Sequence, residues 1–159
     1  MPPKRGAVGE GFIPSHTPAR TDSAATMKAH LQLGRIYKGK KQREKAKDEL
    51  REALSIDPAS AAVISELRSL YRQEAKDYED RDEHDKAAEK YEEMVRIDPN
   101  NRRNVEVYMK LGNIYRSGEL YDKAATMYEA ATKLDPLNFD AFSALKELEL
   151  LRSTDEEKE

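Results

Sequence analysis

Cysteine is absent from the 159-residue chain, which excludes disulfides and thiolate metal sites. No stretch approaches the roughly eighteen apolar residues that a membrane-crossing helix needs, so no membrane span is expected. The opening Met1-Pro2-Pro3-Lys4-Arg5 lacks the apolar run of a secretory signal, and the cytoplasm is the expected compartment. An excess of charge of one sign is missing too. The formal net charge is −3, which leaves no global case for a nucleic-acid partner.

The chemistry of sites is also thin. His16, His30 and His84 stand apart, and none has a second histidine or a cysteine at ligand spacing, so no metal is expected. The acidic run Asp80-Arg-Asp-Glu-His-Asp85 lacks the glycine and ligand rhythm of a calcium loop and reads as a solvated turn. Gly6, Gly9 and Gly11 follow no strand, so they do not form a phosphate loop. Many carboxylates are present, but no cleft forces two together for acid–base work. The expectation is a non-enzyme without cofactors.

Charge is abundant and unevenly placed. Charged residues make up 37 % and apolar residues 38 %, a polar balance that a repeat solenoid tolerates because it exposes much surface. Residues 23–60 hold nine basic against five acidic side chains, and residues 139–159 hold three against seven. A basic first half and an acidic end are solvated helix faces, or else they serve a charged partner or head-to-tail self-association.

Internal repetition decides the fold. From Gly34, residues Tyr37, Ala46, Leu50, Ala53 and Pro58 fall at offsets 3, 12, 16, 19 and 24. From Gly112, residues Tyr115, Ala124, Tyr128, Ala131 and Pro136 fall at the same five offsets, and from Ala75 so do Tyr78, Ala87, Tyr91, Met94 and Pro99. This pattern resembles the tetratricopeptide repeat, closely in copies one and three and more loosely in copy two. The copies span about 27–60, 68–101 and 105–138, roughly two-thirds of the chain. The resemblance implies an all-α, right-handed superhelical solenoid of antiparallel helix pairs.

Each slot has a physical reason. The glycines let two helix backbones cross closely, and Ala46, Ala87 and Ala124 are expected to face them. Tyr37, Tyr78 and Tyr115 fill the space within a pair; Leu50, Tyr91 and Tyr128 are expected to pack toward the next copy. Asp57-Pro58, Asp98-Pro99 and Asp135-Pro136 stop the second helices, and each aspartate is expected to cap the next helix. These tyrosines are core, not a base-stacking platform.

The copies are spaced by 41 and 37 residues, against a usual period of about 34. The seven-residue insertion, 61–67, adds nearly two helical turns, so Ile64, Leu67, Leu70, Tyr71, Ala75 and Tyr78 continue one stripe. A single long helix is predicted over about 59–80. The second insertion, Arg102-Arg103-Asn104, predicts one extra turn before the third copy.

Residues 1–22 hold four prolines and three glycines and read as a disordered arm, with Phe12-Ile13 as its bulky apolar pair. The repeat domain is expected over 23–152. Its last helix, 139–152, covers the final repeat through Ala141, Ala144, Leu145, Leu148 and Leu151, leaving Phe139 and Leu150 on the other side. Residues 153–159 read as a frayed charged tail.

The resemblance also implies where binding happens: the first helix of each copy lines a concave groove for a partner segment. Stepping along those helices gives Lys28, Leu31, Arg35 and Lys38, then Ser69, Arg72, Lys76 and Glu79, then Glu106, Met109, Asn113 and Arg116, with Lys110 nearby. Six of these twelve are basic and two acidic. The expected groove residues are Lys28, Leu31, Arg35, Lys38, Arg72, Lys76, Met109, Lys110, Asn113 and Arg116, suited to an acidic segment with an apolar anchor. One subgroup of the family grips chaperone C-terminal carboxylates. Leu31, Arg35, Gln73 and Glu106 depart from its pattern, leaving only Lys110 near it, so that assignment is rejected.

The leading functional expectation is an interaction scaffold or adaptor for a protein or peptide. The alternatives are a homo-oligomer stacking through its solenoid ends and a chaperone-like protein dedicated to secretion.

Overall fold

The computed structural model describes residues 18–156, with the side chains of 22–153. Among these residues there are seven α-helices and no strand: α1 (Pro18–Gly39), α2 (Arg43–Ile56), α3 (Ala61–Glu79), α4 (His84–Ile97), α5 (Asn104–Ser117), α6 (Tyr121–Leu134) and α7 (Phe139–Glu156). The helices pair as α1 with α2, α3 with α4 and α5 with α6. Lesser contacts join successive pairs, and α7 packs on α6. This is the expected all-α solenoid.

The glycine slots work as notches. A Cβ on Gly34 would lie 2.6 Å from Leu50 Cγ and 3.3 Å from the Ala46 carbonyl oxygen. A Cβ on Gly112 would lie 2.6 Å from Tyr128 Cδ1. Leu50 and Tyr128 therefore fold back onto the glycine of their own pair, which corrects the expectation that they serve mainly the next one. The alanine slots and Leu50, Tyr71, Met94, Leu111 and Tyr128 are wholly or almost wholly buried. The core is one continuous strip from Leu31 to Leu148.

All three turns inside a pair are built alike, and no sequence signal announced it. Lys41, Asp82 and Glu119, each seven residues past the glycine slot, have φ of 59°, 57° and 59°. The next N–H in each turn reaches back to the slot tyrosine: Gln42 to Tyr37, Glu83 to Tyr78 and Leu120 to Tyr115. This is the left-handed helix stop that usually employs glycine. A lysine also recurs over each of those tyrosines. Lys45, Lys86 and Lys123 sit 5.7, 5.7 and 5.4 Å from the ring centres of Tyr37, Tyr78 and Tyr115.

The aspartates before proline do not cap the following helices. Asp57 and Asp135 accept the backbone N–H two residues on, at 3.1 and 3.3 Å, and so fold the turn itself. The side chain that caps α7 is Asn138, which accepts the Ala141 N–H at 2.9 Å. Short polar side chains suit both tasks, and chain position decides which one is performed.

The helix predicted over about 59–80 is α3, with Val63, Leu67, Leu70, Tyr71 and Ala75 on its buried face. The second insertion does not add a helical turn. Arg102 and Arg103 form a turn, and Asn104 opens α5. The fully buried Asn104 donates to the Asp98 carbonyl at 2.6 Å.

At the ends, Pro18–Asp22 belong to α1, so the region read as an arm over 1–22 is helical in its last part. Residues 1–17, with Phe12-Ile13 and His16, lie outside the described residues. The tail read as frayed from 153 is helical through Glu156. Within α7, Ala141 and Leu148 are buried as expected, whereas Leu151 is 43 % exposed.

Candidate partner-binding face

The odd-numbered helices share one face, and their charges meet across it. Arg35 Nε lies 2.9 Å from Glu66 Oε1, and Lys38 Nζ lies 2.9 Å from Glu66 Oε2. One pair further on, Lys110 Nζ lies 3.2 Å from Glu79. Beyond that, Arg116 lies 3.1 Å from Glu147. The partners Arg35 and Glu66, Glu79 and Lys110, and Arg116 and Glu147 are each 31 residues apart. Every step between successive odd helices thus carries an ion-pair rung.

The rungs have consequences for charge. Burial works against the ionised Glu66, but hydrogen bonds from Lys38 and Arg35 outweigh it and hold its carboxyl below the ordinary value. Burial likewise works against the Lys110 ammonium; the Tyr91 hydroxyl and Glu79 hold it above the lysine value. Three of the six basic residues expected to project a positive field, Arg35, Lys38 and Arg116, are therefore already neutralised in part, as is Lys110 beside them.

The expected groove residues divide accordingly. Leu31 is 7 % exposed and belongs to the core, a correction to its reading as a contact. It lies on α1 about 400° of helical turn before Arg35, which rotates it toward α2. Arg35, Lys38, Lys110 and Arg116 are rung members. The Asn113 side-chain oxygen accepts the Tyr128 hydroxyl at 2.7 Å. Met109 is half-buried at the edge of the core. Lys28, Arg72 and Lys76 are exposed, and none is in an ion pair among the described residues.

Arg72 stands at a junction. With Val105, Glu106 and Met109 of α5, Arg102, Arg103, Asn138 and Asp140 it lines a depression of about 700 Å³ that spans α3, α5 and the start of α7. With Lys76, Glu79, Tyr91 and Lys110 it lines another of about 310 Å³. Glu106 lines both depressions, so the middle of the odd-helix face joins the unpaired cations Arg72 and Lys76, and the Glu106 carboxylate, to apolar side chains.

Sequence reasoning missed Glu66 and Glu147 and took Glu79 only as an exposed groove position, although opposite charges recurring at a separation of 31 would have revealed all three rungs. It also missed Lys47 and Glu74, which are 4 % and 7 % exposed and lie 2.7 Å apart between α2 and α3. Among the described residues no three His, Cys, Asp or Glu side chains gather as metal ligands, and no helix is long and apolar enough to cross a membrane.

Residues 28–60 and 105–136, the first and third pairs, match the tetratricopeptide-repeat family. The first and third helix pairs thus carry tetratricopeptide-repeat sequence, within an all-α solenoid of seven helices among the described residues. No curated protein matches the sequence at a significant level. Among solved structures, the OM64 tetratricopeptide domain of Arabidopsis is 23 % identical, with a TM-score of 0.45 over 80 % of this chain and 97 % of that one. The C-terminal repeat domain of a putative FK506-binding protein of Plasmodium falciparum is 18 % identical, with a TM-score of 0.49 over 87 % and 95 %. The first repeat domain of Spaghetti, solved with an HSP90 peptide, is 17 % identical, with a TM-score of 0.48 over 81 % and 94 %.

Proposed function

We propose that the protein is a non-catalytic cytoplasmic scaffold whose odd-helix face receives a segment of a partner protein, acidic and carrying an apolar anchor. One observation carries this reading: Arg72 and Lys76 are the exposed, unpaired cations of α3, and Arg72 lines both the depression that holds Val105 and Met109 and the neighbouring one that holds Lys76. The segment's carboxylates would meet Arg72 and Lys76. Its apolar anchor would enter against Met109, whose flexible thioether adapts to varied shapes.

The test is the double variant Arg72→Glu/Lys76→Glu. It spares the core and the rungs, whereas changing Arg35 would also break the contact with Glu66. A rim charge contributes under about 1 kcal/mol and acts mainly on association rate, so two reversals together are needed for a fall of about tenfold in partner affinity. The melting temperature is expected to stay near that of the wild type. Undiminished capture of the same partner by the double variant overturns the reading.

A second reading rests on the solenoid ends. Leu137, Phe139, Phe142 and Leu150 are 91, 76, 53 and 67 % exposed around α7. At the opposite end Leu33 and Ile36 are exposed on the side of α1 turned from α2. An apolar surface at each end permits head-to-tail stacking into a homo-oligomer. Light scattering is expected to show mass rising with concentration, and Phe139→Ser/Phe142→Ser to abolish the rise. A constant monomer mass from about 0.05 to 0.5 M salt, a range that moves the screening length severalfold, sinks this reading.

A further inference from the structure

Both departures from the repeat period end at one place. Ala61, Ile64 and Ser65 of the seven-residue insertion and Arg103 of the three-residue insertion line the same depression of about 340 Å³, together with Arg68, Ser69, Arg72, Asp98 and Asn101. Three arginines, Arg68, Arg72 and Arg103, are among the residues that line it. Asp98 is the one carboxylate among these lining residues, and it is engaged, since Asn101 Nδ2 donates to its Oδ2 at 2.7 Å.

Arg68 makes this more than a basic patch. It is 6 % exposed, and its Nη1 donates to the Met94 carbonyl oxygen at 2.9 Å. Its Nη2 is buried with no hydrogen-bond partner. A buried guanidinium nitrogen without an acceptor is costly, so an acceptor that reached it would relieve that cost. Burial lowers the pKa of Arg68 below the ordinary arginine value, against the pull of Asp98 and with the added repulsion of Arg72 and Arg103. Three positive groups against one carboxylate leave two charges to be matched. Asn101 and Asn104 hold the Arg103 loop in shape, through the Arg103 N–H to Asn101 Oδ1 at 2.9 Å and through Asn104 Nδ2 to the Asp98 carbonyl.

We propose that this socket recognises a phosphorylated serine or threonine of the partner segment. The proposal deepens the groove reading and rests on it, because Arg72 lines both the groove and the socket. A phosphomonoester carries close to two negative charges at neutral pH and three acceptor oxygens. Guanidinium groups meet such oxygens with paired, charge-assisted hydrogen bonds. Carboxylates supply half that charge and fewer acceptors. The socket lies where no other copy has an equivalent, since neither insertion occurs elsewhere in the repeats.

The experiment titrates the full chain, observed by backbone amide NMR at constant ionic strength, with inorganic phosphate, N-acetyl-phosphoserine amide and N-acetyl-aspartate amide. Shifts are expected to concentrate at residues 64–72 and 98–104. The phosphoserine probe should bind at least about tenfold more tightly than the aspartate probe, and Arg103→Glu should remove about tenfold of that affinity. Arg103 is exposed on a loop, so its replacement leaves the fold intact as judged by the spectrum. Binding of inorganic phosphate without the phosphoserine probe makes the socket a free-anion site and overturns the proposal. Shifts spread over the basic surface of α1 and α2 and unchanged by Arg103→Glu also overturn it. If the phosphoserine probe binds nowhere while Arg72→Glu/Lys76→Glu still abolishes partner capture, the socket falls and the groove stands. If the probe binds the socket while that double variant captures the partner normally, the groove reading falls, and with it the socket's role toward this partner, since Arg72 belongs to both.

Discussion

Replacing Gly112 with leucine is expected to cost about 3 kcal/mol or more, near the upper end for overpacked helix contacts. Even alanine at this position would place its Cβ 2.6 Å from Tyr128 Cδ1 and 2.9 Å from Cζ, and closer still to Cε1. The ring has nowhere to go. Tyr128 is fully buried, and its hydroxyl is held by Asn113 at 2.7 Å. Alanine favours a helix over glycine by about 1 kcal/mol, so the sign of Gly112→Ala is a direct contest between propensity and collision. Gly34 provides the control. There the obstacles are Leu50 Cγ at 2.6 Å, in a branched aliphatic chain that can change rotamer, and the Ala46 carbonyl oxygen at 3.3 Å. Gly34→Ala should therefore cost clearly less than Gly112→Ala in chemical denaturation. Equal costs, or an unchanged melting temperature for Gly112→Leu, would refute the notch.

Glu74→Ala is expected to lose about 3–5 kcal/mol, because it strands a buried ammonium. Lys47 is 4 % exposed and lies 2.7 Å from Glu74 and 2.8 Å from Glu44. Burial alone would push the Lys47 pKa down, yet the hydrogen bonds to Glu44 and Glu74 hold it above the ordinary lysine value. Glu44 is largely exposed and cannot replace the lost partner in the interior. The informative companion is Lys47→Met/Glu74→Leu, which removes both charges and refills the space. That pair should recover most of the loss or exceed the wild type, since buried ion pairs often match apolar residues of similar volume. If Glu74→Ala unfolds at the same denaturant concentration as wild type, water reaches Lys47 and the ion pair is not a buried one.

The repeat slots were legible because each requirement is local. A glycine, an alanine and a proline at fixed offsets describe one helix pair and its stop, and the length of α3 comes from an insertion that keeps the apolar stripe in phase. Burial that depends on another helix was not legible. Lys47 looked solvated within α2 alone, and only Glu74 on α3 explains it. Leu31 and Arg35 both sit at groove-like steps on α1, yet the packing of α2 claims the first. The field expected from six basic residues was overstated because Glu66 and Glu147, which pair with Arg35, Lys38 and Arg116, come from the neighbouring odd helix. Helix stops at Lys41, Asp82 and Glu119 were invisible because none is glycine or asparagine. The socket escaped notice because its two walls are insertions separated by more than thirty residues.

The way the helices pack has a mechanical consequence. Among the described residues each helix leans mainly on its neighbours in the chain, with ion-pair rungs tying alternate ones, and no extensive contact joins α1 to α7. Such an assembly behaves as a chain of springs in series. A load on α7 reaches α1 only through every joint between them, and the softest joint sets the compliance of the whole. The rungs are partly exposed, so added salt relaxes them while the buried notches at Gly34 and Gly112 stay stiff. The molecule then yields by changing its pitch between pairs and not by opening the pairs themselves.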